Sequence, residues 1–257
     1  MYDLPSENPE EPGLPDEFHD LQPQILSATL RINSHPRDQI FTGTDLNLYY
    51  DVRHPLWHKR PDWFLVLGVP RLYDGVDLRN SYVIWQEGID PFVIVELLSP
   101  GTRQEDLGPF AGPAETEQAS AVEEAPIEEE EPAQENGQPQ KVQPPRKWEV
   151  YETILRVPYY IVFSRYTDEL RFFKQVGGRY EEQVLQNGPC KIWLPEMELG
   201  LGIWQGSYDG ISRSWLRWCD AEGNWILTPE ERVEQEQQRA ERLAERLREL
   251  GVDPDQI

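Results

Sequence analysis

Cysteine is nearly absent from this chain. Cys190 and Cys219 are the two there are, and they form no C-x-x-C pair. Neither a disulfide framework nor a structural zinc site is expected from such a pattern, and the thiols read as reduced. No apolar run approaches the roughly 18 to 20 residues that span a bilayer. The opening stretch MYDLPSENPEEPG is acidic and proline-rich rather than signal-like, so the expected setting is a soluble, cytoplasmic one without membrane contact. Positive charge is scarce too: 24 Lys and Arg stand against 47 Asp and Glu, a net charge of −23. That balance argues against tight nucleic-acid binding driven mainly by phosphate neutralisation, while leaving room for a local basic groove.

The acid is concentrated. The first twenty residues hold seven acids and no Lys or Arg, and Leu107 to Arg146 hold nine against Lys141 and Arg146. The latter stretch has the low hydrophobicity and the Glu, Gln and Pro content of a chain that cannot offset its ordering entropy. The expected organisation is an acidic leader at 1–15, one domain made of 16–106 and 147–227, a disordered insertion at 107–146, and a charged helix at 228–257.

Within that domain Asp16 is placed to cap a helix with apolar positions at Phe18, Leu21, Ile25, Leu26 and Leu30, despite Pro23. DLNLYYDV, SYVIWQEG, DWFLVLGVP and PFVIVELLS read as strands. KWEVYETILRV and then PYYIVFS give a helix and a strand after the insertion, so a βαβ crossover with parallel pairing is expected around it. Hairpins are expected at Gly177-Gly178 and Gly223-Asn224. Thr228, Pro229, Glu231 and Gly251 supply start and stop signals for a last helix, whose narrow stripe of Val233, Ala240, Leu243, Leu247 and Leu250 suits packing on its own domain or weak self-association.

Three residues sit where composition alone would not put them. Glu96 lies inside the apolar run PFVIVELLSPG, near the carboxyl end of its strand, where open α/β sheets gather ligands. A carboxylate buried there needs a cation or a proton. Lys147 falls in line with Tyr151 and Ile154, inside the stripe completed by Trp148 and Leu155 and opposite Glu149, Glu152 and Arg156, so it points inward. Asp62 begins an apolar strand directly after a proline. Were Asp62 and Glu96 to converge within ~4 Å they would repel by roughly 4 kcal/mol at an effective dielectric of 20, and a divalent ion with oxygen ligands, Mg²⁺ above all, would resolve the conflict. Each has an ordinary reading as well: a turn aspartate and a buried salt bridge. Elsewhere, His54 and His58 are interrupted by Pro55 and read as loop histidines, Glu17 as a solvent-facing helix residue, and Asp45 and Asp51 as strand-end residues.

Pro-Asp on one strand, Glu in a strand leading to ELLSPGT, then EDLG, a lysine and VYETILRVPYYIVF resemble the Uma-two family, a group abundant in cyanobacteria and placed in the PD-(D/E)XK, restriction-endonuclease-like superfamily. The likeness extends through WLPEMELGLGIWQGSYDG to the terminal LRELGVDPD. It implies an α/β fold, a restriction-endonuclease-like core with a mixed central sheet flanked by helices, to which C-terminal β-hairpins and a C-terminal helix are added. It further implies a Mg²⁺-dependent endonuclease acting on DNA, with Mn²⁺ as a substitute ion and a homodimer reaching both strands. Asp62, Glu96 and the carbonyl of Leu97 would hold the ion. Leu98 stands where the superfamily's usual lysine falls, so Lys147 would serve instead, with Asp106 as an accessory acid. The rival expectation is a protein that keeps the nuclease fold without turnover and works as a scaffold.

Overall fold

Three apolar runs, Trp63–Leu67, Val93–Leu97 and Tyr159–Phe163, are hydrophobic at almost every position instead of every second one, which a strand needs when both faces of its sheet are covered. They form the centre of the fold. The chain's structure, a computed structural model, describes residues 16–99, 101–112, 143–251 and 253. The acidic leader and residues 113–142, the bulk of the expected insertion, lie outside the described residues.

Among the described residues twelve strands, numbered along the chain, form three sheets. The central sheet runs β1 (Ile40–Thr44), β4 (Trp63–Leu67), β6 (Val93–Leu97), β7 (Tyr159–Phe163), β8 (Leu170–Val176) and β9 (Arg179–Glu182), in that spatial order. It is mixed: β6 and β7 pair in parallel and every other neighbour is antiparallel. The parallel pair is the one joined across the insertion, as the crossover reading requires. A small sheet holds β2 (Leu48–Tyr49), β3 (His58–Lys59) and β5 (Tyr82–Val83), and another holds β10 (Ile192–Leu194), β11 (Leu199–Tyr208) and β12 (Ile211–Cys219).

Side chains of the central strands alternate between two cores. Trp63, Leu65, Val93, Val95, Leu97, Ile161 and Phe163 pack with α1 (Glu17–Thr29) and the β10–β12 sheet. Phe64, Val66, Ile94, Leu98, Tyr160 and Val162 face the other way, against Trp148, Val150 and Tyr151. Asp16 caps α1 through the amides of Phe18 and His19, and Pro23 is carried buried inside the helix. The helix is clasped to β12 by Gln22, whose amide bonds both the carbonyl (2.9 Å) and the amide (2.8 Å) of Leu216.

The structure corrects several expectations. DLNLYYDV contributes only Leu48–Tyr49 as strand, and SYVIWQEG is a two-residue strand followed by α2 (Ile84–Glu87). The Gly223-Asn224 hairpin shrinks to one bridge, Cys219 with Trp225, because the Asp220 carboxylate takes the amides of Glu222 and Asn224 and closes the turn locally. The long hairpin is β11–β12 instead, turning at Asp209-Gly210. Order runs past Asp106, which lies on α3 (Arg103–Leu107): a short turn follows that helix, and Leu107 and Ala111 are buried in the second core. The reduced state expected for the cysteines is overturned as well. Cys190 and Cys219 form a disulfide, Cα atoms 6.1 Å apart. Gly200 makes room for it, since a Cβ there would stand 2.7 Å from Cys219 Sγ and 2.9 Å from Cys190 Cβ.

The last helix, α5 (Pro229–Glu249), has the expected Thr228/Glu231 capping box. Buried Arg217 grips Glu231 in its first turn and the carbonyl of Ile226. Beyond that anchor none of its residues is buried, so it does not pack its stripe on its own domain. No helix among the described residues is long and apolar enough to cross a membrane.

Candidate functional site

Strand parity explains the position of Glu96. Odd residues of β6 face α1, so even ones, Ile94, Glu96 and Leu98, face the opposite core. The β4–β6 register pairs Trp63 with Val95. One step further it sets Asp62 opposite Glu96, on the same face. The two acids are thereby cross-strand neighbours at the carboxyl end of β6. Asp62 Oδ2 accepts the amide of Leu97 at 2.6 Å, and the Asp62 amide lies 3.5 Å from Glu96 Oε2.

The cation comes from the helix after the insertion. Lys147 opens α4 (Lys147–Glu149), which continues as a π-helical turn through Ile154. Its Nζ donates to Glu96 Oε2 at 3.0 Å and stands 3.3 Å from Asp106 Oδ1. One turn on, the Tyr151 hydroxyl donates to Glu96 Oε1 at 2.9 Å. Both carboxylate oxygens of a fully buried Glu96 are thus engaged from one helix face. The π-turn also corrects the expected stripe. Its wider spacing, with the Leu155 amide bonded to the Val150 carbonyl, shifts the phase past Tyr151, so Ile154 turns out to solvent and Glu152 turns in to accept the Tyr180 amide.

Asp106 arrives on α3, held by its carbonyl, which accepts the Tyr160 hydroxyl at 2.7 Å. Its Oδ1 is held to Lys147 Nζ as an ion pair. Neighbouring Glu105 pairs with Lys59 at 2.9 Å. Leu98, at the usual lysine position, is buried in the second core.

His19 is the residue the sequence did not flag. From the first turn of α1 its Nδ1 meets Asp16 Oδ1 at 2.8 Å, and its Nε2 meets the carbonyl of Leu97 at 3.1 Å. Asp16 also pairs with Arg165 at 2.5 Å. Nε2 therefore faces an acceptor, while Nδ1 stands between the Asp16 carboxylate and, at 3.5 Å, the Asp16 backbone amide of the α1 capping box. Nothing in a local motif foretells a contact across 78 positions.

Three carboxylates share this hollow with one ammonium. Burial, reinforced for Glu96 by Asp62, pushes the Glu96 carboxyl up to about 8 against the pull of Lys147 and Tyr151. Burial and the nearby Glu96 move Asp106 up to about 6, and burial raises Asp62 as well. Burial works against the charge on Lys147, but Asp106, Glu96 and Asp62 overturn it and hold the ammonium well above its usual range. Burial likewise opposes charge on His19, and Asp62 and Asp16 reverse it upward. The cluster has an unmet demand for positive charge, which protons or a cation can supply.

Other sequence candidates lie apart from these contacts. Glu17 is exposed on α1. His54 stacks on Trp57 and bonds Asp51, His58 bonds the Leu56 carbonyl, and Asp45 pairs with Arg60. Among the described residues no group of three or more His, Cys, Asp or Glu side chains is gathered to hold a metal ion. Glu96 is drawn instead to Lys147 and Tyr151.

Compared with known proteins, residues 1–205 match the family model Uma2, described as "Putative restriction endonuclease". No curated protein and no solved structure matches the chain.

Proposed function

The chain belongs to the Uma2 family, and from that membership we propose that it is a divalent-metal-dependent endonuclease that cleaves phosphodiester bonds of DNA in the cytoplasm. The observation that carries the reading is Lys147 Nζ at 3.0 Å from Glu96, on the strand beside Asp62. The nuclease-like domain would comprise 16–106 with 147–227, its first part carried on by the buried Leu107 and Ala111 before the acidic segment, and a homodimer would bring two such sites to the two strands.

What favours a hard dication here is the excess of buried carboxylates over the single lysine, Glu96 and Asp106 both facing Lys147. Asp62, Glu96 and the Leu97 carbonyl would hold Mg²⁺, or Mn²⁺ in its place. When bound, the ion would supply Lewis acidity at the scissile phosphate. Asp62, tied by Oδ2 to the Leu97 amide, keeps the ends of β4 and β6 in register. Tyr151 fixes the rotamer of Glu96. Lys147, held protonated by its three acidic neighbours, acts as a positive donor rather than a base: it orients the attacking water and stabilises the negative charge that builds on the phosphorane-like transition state. Asp106 is accessory and positions the Lys147 head.

Plasmid and single-stranded DNA incubated with Mg²⁺ test this directly. Wild type should cleave, and Glu96→Ala and Lys147→Ala should each lose on the order of 10²-fold or more. Equal residual activity in all three removes the site. A second reading, a catalytically silent nuclease fold that binds partners, draws on the net charge of −23 and on Lys147 being occupied by both Glu96 and Asp106. Calorimetric titration separates the two, because the silent fold should show no saturable uptake of Mg²⁺ or Mn²⁺ at millimolar concentration.

A further inference from the structure

With a net charge of −23, the chain can hold a polyanion only where positive charge is gathered locally. Two arginines are gathered beside the acidic cluster. Arg165 stands in the turn between β7 and β8, two residues past Phe163, which pairs in parallel with Leu97, so it lies at the sheet edge that carries Glu96. Arg213 comes from β12, and its Nη2 donates to the carbonyl of Arg165 at 3.3 Å. Phe18 of α1 lies under both. The guanidinium carbon of Arg213 is 4.3 Å from the ring centre and that of Arg165 is 5.8 Å from it.

Their counter-charge falls short. Arg165 shares the single Asp16 carboxylate with His19, and the Arg165 carbonyl is the one hydrogen-bond acceptor of Arg213 among the described residues. The Asp168 carboxylate, whose charge also reaches Arg213, accepts the Ser214 hydroxyl at 2.7 Å instead. Both Nε atoms are buried without a hydrogen-bond partner. Burial and the neighbouring Arg165 pull the Arg213 guanidinium below its usual value, against Asp16 and Asp168. Two adjacent guanidinium groups with unspent donors suit an oxyanion, which cancels their repulsion and accepts from both planar forks.

We propose that Arg165 and Arg213 form a subsite for a backbone phosphate of the DNA strand, neighbouring the phosphate to be cut. The inference rests on the endonuclease reading and adds to it how the strand is held. Three contacts tie the subsite to the cluster: Arg165 to Asp16 at 2.5 Å, Asp16 to His19 at 2.8 Å, and His19 to the Leu97 carbonyl at 3.1 Å. A phosphate gripped there sets the register of the strand without reading its sequence.

Binding is measured on the full chain with a chelator present, so that it does not depend on a metal or on cleavage. Fluorescence anisotropy of a short labelled single strand, over a salt series, compares wild type with Arg213→Met, Arg165→Met, Arg213→Lys and, as a control for net charge, Arg239→Met on the exposed part of α5; thermal melts verify folding. Methionine keeps a stem over Phe18 and removes the charge. Arg213→Met and Arg165→Met should each weaken binding by on the order of 10-fold, alike for every sequence, and reduce the slope of log affinity against log salt by about 0.7. Arg213→Lys should recover part of the affinity, and Arg239→Met should match wild type. If Arg213→Met does not fold, Arg165→Met carries the same test. Folded methionine variants that bind as wild type does, or no more weakly than Arg239→Met, overturn the subsite, as does wild type that binds no DNA. Calorimetric uptake of inorganic phosphate with the DNA salt slope unchanged in the variants also overturns it, by showing a site for the free anion. Mg²⁺-dependent cleavage decides the endonuclease reading separately: DNA bound through the two arginines but never cut removes the nuclease and keeps the contact.

Discussion

Lys147 Nζ lies 3.0 Å from Glu96 Oε2, although the two residues are 51 positions apart and the acidic segment runs between them. The pair is not balanced. Glu96 has one ammonium, but Lys147 has Asp106 as a second partner and Asp62 close by. Removing the lysine therefore strands several buried carboxylates, while neutralising Glu96 relieves their crowding.

An asymmetry in stability follows. Lys147→Met should cost about 3 to 5 kcal/mol in metal-free denaturant unfolding, the range for breaking a buried ion pair from one side. Glu96→Gln should cost clearly less, since Lys147 retains Asp106 and glutamine can still accept from Tyr151. In the double variant the penalty of Lys147→Met should shrink. Equal costs for the two single changes would mean a balanced structural salt bridge rather than a site with surplus negative charge.

The same surplus makes stability depend on pH. A carboxyl whose folded value is raised binds more protons folded than unfolded, so its contribution is complete below the unfolded value and fades as pH rises through the folded one. For Glu96 the window runs from 4.5 up to about 8, and Asp106, moved to about 6, adds to its lower half. With a chelator present, unfolding free energy should fall from pH 5 to 8, by up to about 1.4 kcal/mol per pH unit for each proton released. Glu96→Gln should flatten the upper part of that slope. A wild-type profile that rises over this range would contradict the raised values.

Legibility in the sequence tracked burial and parity. The unbroken apolar runs of β4, β6 and β7 announce strands covered on both sides, and a charged residue inside such a run, Glu96, stands out by contrast. Lys147 is visible for the same reason, as a cation within a helical apolar stripe. Where that stripe is broken by the π-turn, the reading inverts Glu152 and Ile154, because residue spacing assumes 3.6 residues per turn. Strand β1, IFTGT, escaped because it is short and interrupted by Gly43, against which the Phe64 ring packs. His19 could not be read at all: its role depends on where α1 lies over the sheet, a tertiary fact with no local signature. The disulfide was missed for a related reason, since the hairpin that aligns Gly200 with Cys219 sets the pairing, not the spacing of the cysteines.

The Cys190–Cys219 link closes a span of 29 residues, for which loop-closure entropy gives about 3 to 4 kcal/mol. Cys219→Ser should lower stability by up to this amount under oxidising conditions and match reduced wild type when dithiothreitol is present. Because Cys219 ends β12 and Cys190 lies just before β10, neither touching the Glu96 cluster, metal titration by the variant should stay as in wild type. Identical melts of wild type with and without reductant would show that the cysteines do not stabilise the fold as a pair.

Gly108 ties the order of the acidic cluster to a single backbone position. It follows α3 with φ +48, in the left-handed region that only glycine enters freely, and a Cβ there would stand 2.6 Å from Trp148 Cγ and 2.9 Å from Cδ2. The indole cannot yield, because it is wedged among Phe110, Tyr160, Phe173 and Tyr180 with ring centres 5.1 to 5.8 Å away. Trp148 is the next residue after Lys147, and Asp106 lies two before Gly108, so this contact sets how closely the ammonium approaches its second carboxylate. Gly108→Ala should therefore carry two costs, backbone strain of about 1 to 3 kcal/mol and displacement of α4, whereas Gly112→Ala, at φ +74 with open space around it, should carry the first alone. Unfolding in urea measures the difference, and the proposed Mg²⁺-dependent cleavage should drop for the first variant and hold for the second. If the two alanines prove equally mild, the indole is free to move and Lys147 does not depend on it for its place.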